Sequence, residues 1–333
     1  MSIYIPSVDE AASLIFKAYR NDDFNRLREI QEFLEDKTVA RRIAGDASEF
    51  HNASVKMTRI GFYDNAFALL TIGQQRYTRD TDILADMLLY GLKCRELHEL
   101  IPYKEKLLNI NKRFWSWRAF HFLFDYLIEM LKYEDSEDKI VHLSEEIEQL
   151  ISDYKQYSSN FRDQSDNEKA YMIEYEYYMF KNDSKKALAA LKQATTDLPR
   201  KCAQCALKLA DYFFERGEYK EVIQYAEQAA NIKEDQPSIS RGYAFYILAM
   251  AKEHEIREKR GSLSDKVKPI FSDYASAVDR LSDESGRDTL LRNIKHQVKT
   301  LEYDSGVLSN IDFSSTGGNA DLKRLIESLG SDE

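Results

Sequence analysis

Apolar positions recur at three- and four-residue steps along almost the whole chain. From Ala206 to Ala230, Leu209, Phe213, Phe214, Val222, Tyr225, Ala226 and Ala229 follow this spacing, which lays an apolar stripe on each of two helices. Gly217 interrupts the pattern between them and suits a tight turn, because it tolerates positive φ at a helix end. Short breaks of the same kind fall at Asn21–Asp23, Gly61–Phe62, Arg95–Glu96, Glu134–Asp138, Asn182–Asp183, Gly217–Glu218 and Lys259–Ser262. They lie roughly 34 to 48 residues apart, a period that predicts stacked helical hairpins. One hairpin cannot bury its apolar face alone, so about seven antiparallel hairpins are expected to stack.

Within this array some segments carry a sharper pattern. In Ala206–Glu234, Leu209, Ala210, Phe213, Tyr219 and Ala229 combine large and small apolar residues at set steps. One repeat earlier, Tyr171, Tyr178, Ala187, Ala194 and Pro199 stand at matching steps, and Phe50, Ser54, Met57, Tyr63, Ala66 and Gly73 form a third set. These segments resemble the tetratricopeptide repeat (TPR). Val222, Ala226, Glu234, Glu174, Tyr175 and Ser184 depart from it, and Leu84–Leu107 keeps only large apolar residues at its steps. About a third of the chain carries the motif. The resemblance implies an all-α, right-handed α-solenoid, with the small residues allowing close helix approach in its core.

Two regions differ. Phe114–Tyr126 holds seven aromatic residues, which on a helix would ring every side. Such a helix is either buried on several faces or exposes an adhesive one. Asp304–Asn319 is rich in Ser, Gly and Asn and reads as a flexible linker. Beyond it, Leu322, Leu325, Ile326 and Leu329 share one face of a short amphipathic tail helix. Too short to be stable alone, it is expected to dock on its own solenoid, on another copy or on a partner. The expected organisation is a helical repeat domain over 1–303, a linker over 304–319 and a tail helix over 320–333.

Composition supports this and removes alternatives. Glycine and proline are scarce, at 12 and 5 of 333 residues, too few for the turns of a sandwich or barrel. The net charge of −10 and the scattered basic runs argue against a nucleic-acid partner. Cys94, Cys202 and Cys205 are too few for a disulfide scaffold. No apolar run is long enough to span a membrane, and Asp9 and Glu10 stand where a signal peptide would be basic or apolar. A cytoplasmic protein is expected.

Little in the sequence suggests catalysis. Cys202 and Cys205 form a C-x-x-C without the strand context of a redox site or the further ligands of a zinc site. Packing is their simpler role. His51 and His121 read as satisfied or surface helix residues, and no phosphate-binding or hydrolase motif occurs. No enzyme activity, cofactor or metal is expected. The TPR resemblance instead implies that the first helix of each hairpin lines a concave groove. By position, that lining includes Lys169, Met172, Glu176, Met179, Phe180, Gln204, Leu207, Asp211, Phe214 and Glu215, with Ser48, His51, Val55, Thr58 and Arg59 earlier. Some TPR domains clamp the acidic C-terminus of heat-shock chaperones with Lys and Asn. Glu176 and Asp211 place acid where that clamp has Asn, which argues against such a ligand. The expected function is a scaffold or adaptor whose acidic, Met/Phe-containing groove takes a partner segment of basic and apolar side chains. The rival expectation is a peptide sensor in which curvature or the tail helix responds to the ligand, with self-association through the tail as a further outcome.

Overall fold

The computed structural model describes residues 5–36, 42–158, 167–198, 202–231, 238–258, 267–279 and 287–305. The 259–262 break, Pro199, Glu234 and the expected linker and tail helix beyond 305 lie outside the described residues. Those residues are helical almost throughout; their only β contact is an isolated bridge between Ser7 and Ala44. The chain divides into two compact units between Ile173 and Glu174.

The first unit contains α1 (Val8–Arg20), α2 (Phe24–Glu35), α3 (Ala47–Thr58), α4 (Tyr63–Arg76), α5 (Thr81–Cys94), α6 (Ile101–Leu108), α7 (Trp117–Lys132) and α8 (Glu137–Ser158). Helix α9 (Lys169–Phe180) crosses the division. The second unit continues with α10 (Ser184–Asp197), α11 (Ala203–Phe214), α12 (Tyr219–Ala230), α13 (Ser238–Glu258), α14 (Val267–Asp279) and α15 (Arg287–Ser305). Each odd–even pair from α1 to α14 forms one hairpin position, so the described helices supply seven, with α15 following.

Packing within each unit has the grammar of a repeat. Helix α1 packs on α3, α3 on α5 and α5 on α7, while α2 packs on α4; in the second unit α11 packs on α13 and α13 on α15. First helices therefore stack on first helices. Among the described residues, none of the helices is long and apolar enough to cross a membrane.

The hairpin turns explain how one sequence period becomes one geometry. Asp22, Gly61, Asn182 and Gly217 all take positive φ, from 52° to 84°. The residue after each donates its amide five residues back: Asp23 to Ala18, Phe62 to Met57, Asp183 to Tyr178 and Glu218 to Phe213, at 2.8 to 3.1 Å. This is the Schellman end of a helix, and the left-handed residue suits Gly, Asn or Asp. Where Asp follows the left-handed residue, it also caps the next helix: Asp23 accepts from the Arg26 amide and Asp183 from the Lys186 amide. A capping box of Asp46 and Glu49 starts α3.

Small residues set the helix spacing. A Cβ on Gly73 would meet the Phe50 ring at 2.9 Å, so α3 and α4 approach only because that position is bare. Ala187, Ala194, Ala210, Ala226 and Ala229 are buried. The aromatic stretch resolves into a core helix: Phe120, Phe122, Phe124 and Tyr126 of α7 are buried, as is Trp115 ahead of it, and Phe120 stacks on Tyr154 of α8 at 4.7 Å. Phe114, just ahead of the helix, is 62% exposed.

Candidate functional site

In the second unit, three successive first helices border one groove. Helix α9 contributes Tyr175 and Met179, α11 contributes Lys208, Asp211, Tyr212, Phe214 and Glu215, and α13 contributes Tyr243, Tyr246, Ile247 and Met250; Arg216 lies in the turn after α11. The hollow measures about 580 Å³, a size that holds one or two side chains of a ligand. Four tyrosines thus face a single space.

Asp211 is its electrostatic centre. The Tyr243 hydroxyl donates to Asp211 Oδ1 at 2.9 Å, fixing the carboxylate on the groove floor. Burial raises the Asp211 pKa, and the Tyr243 hydrogen bond and Lys208 oppose that rise while Glu215 adds to it. Burial also raises the pKa of Tyr243, reinforced by Asp211, and that of Tyr175, reinforced by Glu215, Glu176 and Asp211. Tyr246 rises through burial alone. All these phenols stay protonated near neutral pH and remain donors. At one end, Phe214, Tyr219 and His254 form a ring cluster in which Tyr219 and His254 stack at 4.9 Å.

The structure places the expected lining residues unevenly. Met179, Asp211, Phe214 and Glu215 meet in the groove. Glu176 and Phe180 are exposed on α9 but do not line it. Leu207 is buried among Ala203, Ala206, Ala229, Ala230 and Ala244; three helices converge there, so this side chain joins the core instead of the groove. Met172 is half-buried in the first unit and Gln204 is exposed. The lining also carries Lys208 and Arg216 beside Asp211 and Glu215, so it is mixed in charge where an acidic surface was expected. Sequence reasoning missed Tyr175, Lys208, Tyr212 and Arg216, and the whole wall from α13. For that wall the signal was present: Tyr243, Tyr246, Ile247 and Met250 recur at i, i+3, i+4 and i+7.

The first unit holds a different constellation. Asp86 is fully buried in α5, with His51 Nδ1 of α3 at 2.5 Å from one carboxylate oxygen and Arg118 of α7 on the other. The Arg118 guanidinium lies 4.8 Å from the Phe122 ring centre and 5.5 Å from that of Trp117, whose face also takes Lys169 at 3.3 Å. A buried carboxylate held by two partners ties three first helices together, which gives His51 a structural role. Among the other expected lining residues, Val55 and Thr58 are half-buried while Ser48 and Arg59 are exposed. A separate hollow of about 650 Å³ is lined by Phe16, Lys17, Arg20 and Lys56 with Asp9. Cys202 and Cys205 are fully buried at the start of α11, with Gln228 Nε2 3.7 Å from the Cys202 sulfur. Among the described residues there is no cluster of three or more side chains arranged to hold a metal ion.

No protein-family model matches the chain, and no curated protein matches its sequence. Solved structures do resemble it. A thermophilic TPR protein of Thermus thermophilus, TTC0263, aligns over 61% of this chain and 98% of its own at 15% identity, with a TM-score of 0.42. A tetratricopeptide repeat protein from Parabacteroides merdae aligns over 85% and 98% at 14% identity, with a TM-score of 0.40. The human IFIT1 dimer with PPP-AAAA aligns over 97% and 79% at 13% identity, also at 0.40. On the repeated Schellman turns, the stacking of first helices on first helices and the small residues between them, the fold is an all-α, TPR-like helical repeat.

Proposed function

We propose that this chain is a non-catalytic protein-interaction scaffold, and that its second unit binds a partner segment in the groove between α9, α11 and α13. The observation that carries this reading is the groove itself. Four tyrosines, two methionines and a hydrogen-bonded Asp211 face one open hollow. Semi-polar rings and adaptable thioethers with one fixed charge are the chemistry of peptide recognition, since rings supply area at low entropic cost. A segment mixing apolar and basic side chains complements it. The scarcity of cysteine fits a reducing, cytoplasmic setting.

The test is site-specific photocrosslinking in the cells that express the protein. A benzophenone side chain is placed at Met179, which is 39% exposed in the groove, or at Val141, which is 57% exposed outside it. The expected result is a discrete crosslinked peptide from Met179 that is missing from Val141. Matching crosslink patterns from both positions would reject the groove.

A further inference from the structure

We infer that the groove seats an arginine side chain of the partner segment against Tyr212, the place that Arg216 of the chain itself now holds. This deepens the preceding proposal and rests on its reading of the groove.

Arg216 is exposed, and its guanidinium carbon lies 3.5 Å from the centre of the Tyr212 ring. Its Nη1 donates to the Tyr212 carbonyl at 3.0 Å. Both residues line the hollow, so the structure shows one guanidinium that this surface accepts. Among the described residues, the contacts of Arg216 are with Tyr212 and include no ion pair, although Asp211 and Glu215 line the same hollow. The internal cation thus gains the ring and one carbonyl and leaves the acids unused. A guanidinium arriving from a partner is not tethered to the α11 turn. It is free to take up a carboxylate of the same hollow, Asp211 or Glu215, with which Arg216 forms no ion pair. That difference in contacts lets the partner displace it.

The planar form of arginine decides the class of occupant. It lies flat on an aromatic face and meets a carboxylate with two parallel N–H groups, whereas a lysine ammonium is a strongly hydrated point charge. Tyr243 donates to Asp211 Oδ1 and holds that carboxylate in place. Arg216 is then a built-in competitor, and removing it strengthens binding instead of weakening it.

The experiment is selection of a random heptapeptide phage library on the immobilised full-length chain, wild type and Arg216→Ala in parallel. Arg216 is exposed, so the variant is expected to fold, and circular dichroism confirms it. Arginine is expected to be enriched in the peptides selected on wild type and more strongly on Arg216→Ala. A synthetic copy of the leading peptide should bind the variant about fivefold more tightly than wild type, and replacing its arginine with lysine should weaken it about as much. Adding Tyr212→Leu to Arg216→Ala should abolish the arginine preference. Selected peptides without arginine would leave the groove reading standing and overturn the arginine inference. Equal or weaker binding by Arg216→Ala would overturn the competitor role. Selection of no peptide above a blank surface by either protein would overturn both readings.

Discussion

Asp125 illustrates how a single residue of this chain can be placed against its own interest. It sits on α7, and burial together with the neighbouring Glu129 pushes its carboxyl up to about 6, against the pull of Lys93 and Lys132. The folded chain therefore holds this proton more tightly than the unfolded chain does. The stabilisation that protonation brings is complete below the ordinary aspartate range and lost as pH rises through about 6. At pH 7.5 the ionised carboxylate is a net cost. Asp125→Asn should accordingly raise stability by about 1–2 kcal/mol at pH 7.5, after allowance for partial solvent access, with the gain gone by about pH 4. Urea denaturation at the two pH values checks this, and an equal effect at both would refute it. Other residues were readable in the sequence for simpler reasons. Gly73 was legible as a small repeat position, and its contact with Phe50 shows why size matters there. The partners of Asp86 were not legible, because His51 and Arg118 lie 35 and 32 residues away.

At the scale of elements, the chain solves the same problem four times with different residues. Asp22, Gly61, Asn182 and Gly217 each hold the left-handed position that ends a first helix. A Cβ on Gly217 would have nothing closer than Tyr219 at 4.0 Å, so substitution there strains the backbone without a clash. Gly217→Ala and Asn182→Ala should each lower stability by roughly 1 kcal/mol, while Asn182→Gly should stay within about 0.5 kcal/mol of wild type. Thermal unfolding of the three variants tests the equivalence; an Asn182→Ala variant as stable as wild type would show that the turn is not under this constraint. The breaks that mark these turns were visible because glycine, asparagine and aspartate punctuate an otherwise regular pattern. Helix α7 was ambiguous, since rings on every side describe a core helix and an adhesive one equally well. Only the packing of α5 and α8 against it chose between them.

For the molecule as a whole, a repeat array makes stability a matter of neighbours. In the first unit, α5 buries every residue from Ile83 to Leu88, whereas α2 buries only Leu27, Ile30 and Leu34. Hydrogen exchange should therefore show α5 and its neighbour α7 as the slowest helices of that unit and α2 among the fastest. Uniform protection across these helices would count against the gradient. The charge of −10 acts at the same scale, as a field whose reach shortens as salt rises.

The sequence by itself determined the helical class, the hairpin period and the TPR-like order of small and large residues. These are local properties, set by side-chain periodicity and by which residues tolerate a left-handed turn. The TPR resemblance further led to an expected groove lining, of which Met179, Asp211, Phe214 and Glu215 border the hollow while Glu176, Phe180 and Leu207 do not. Tertiary structure alone decided which neighbouring hairpin supplies the opposite wall. It put the tyrosines of α13 across from Asp211, drew Leu207 into the core and laid Arg216 over Tyr212. Those contacts depend on how successive helices approach one another, and the residues that meet there are separated by a repeat or more of chain.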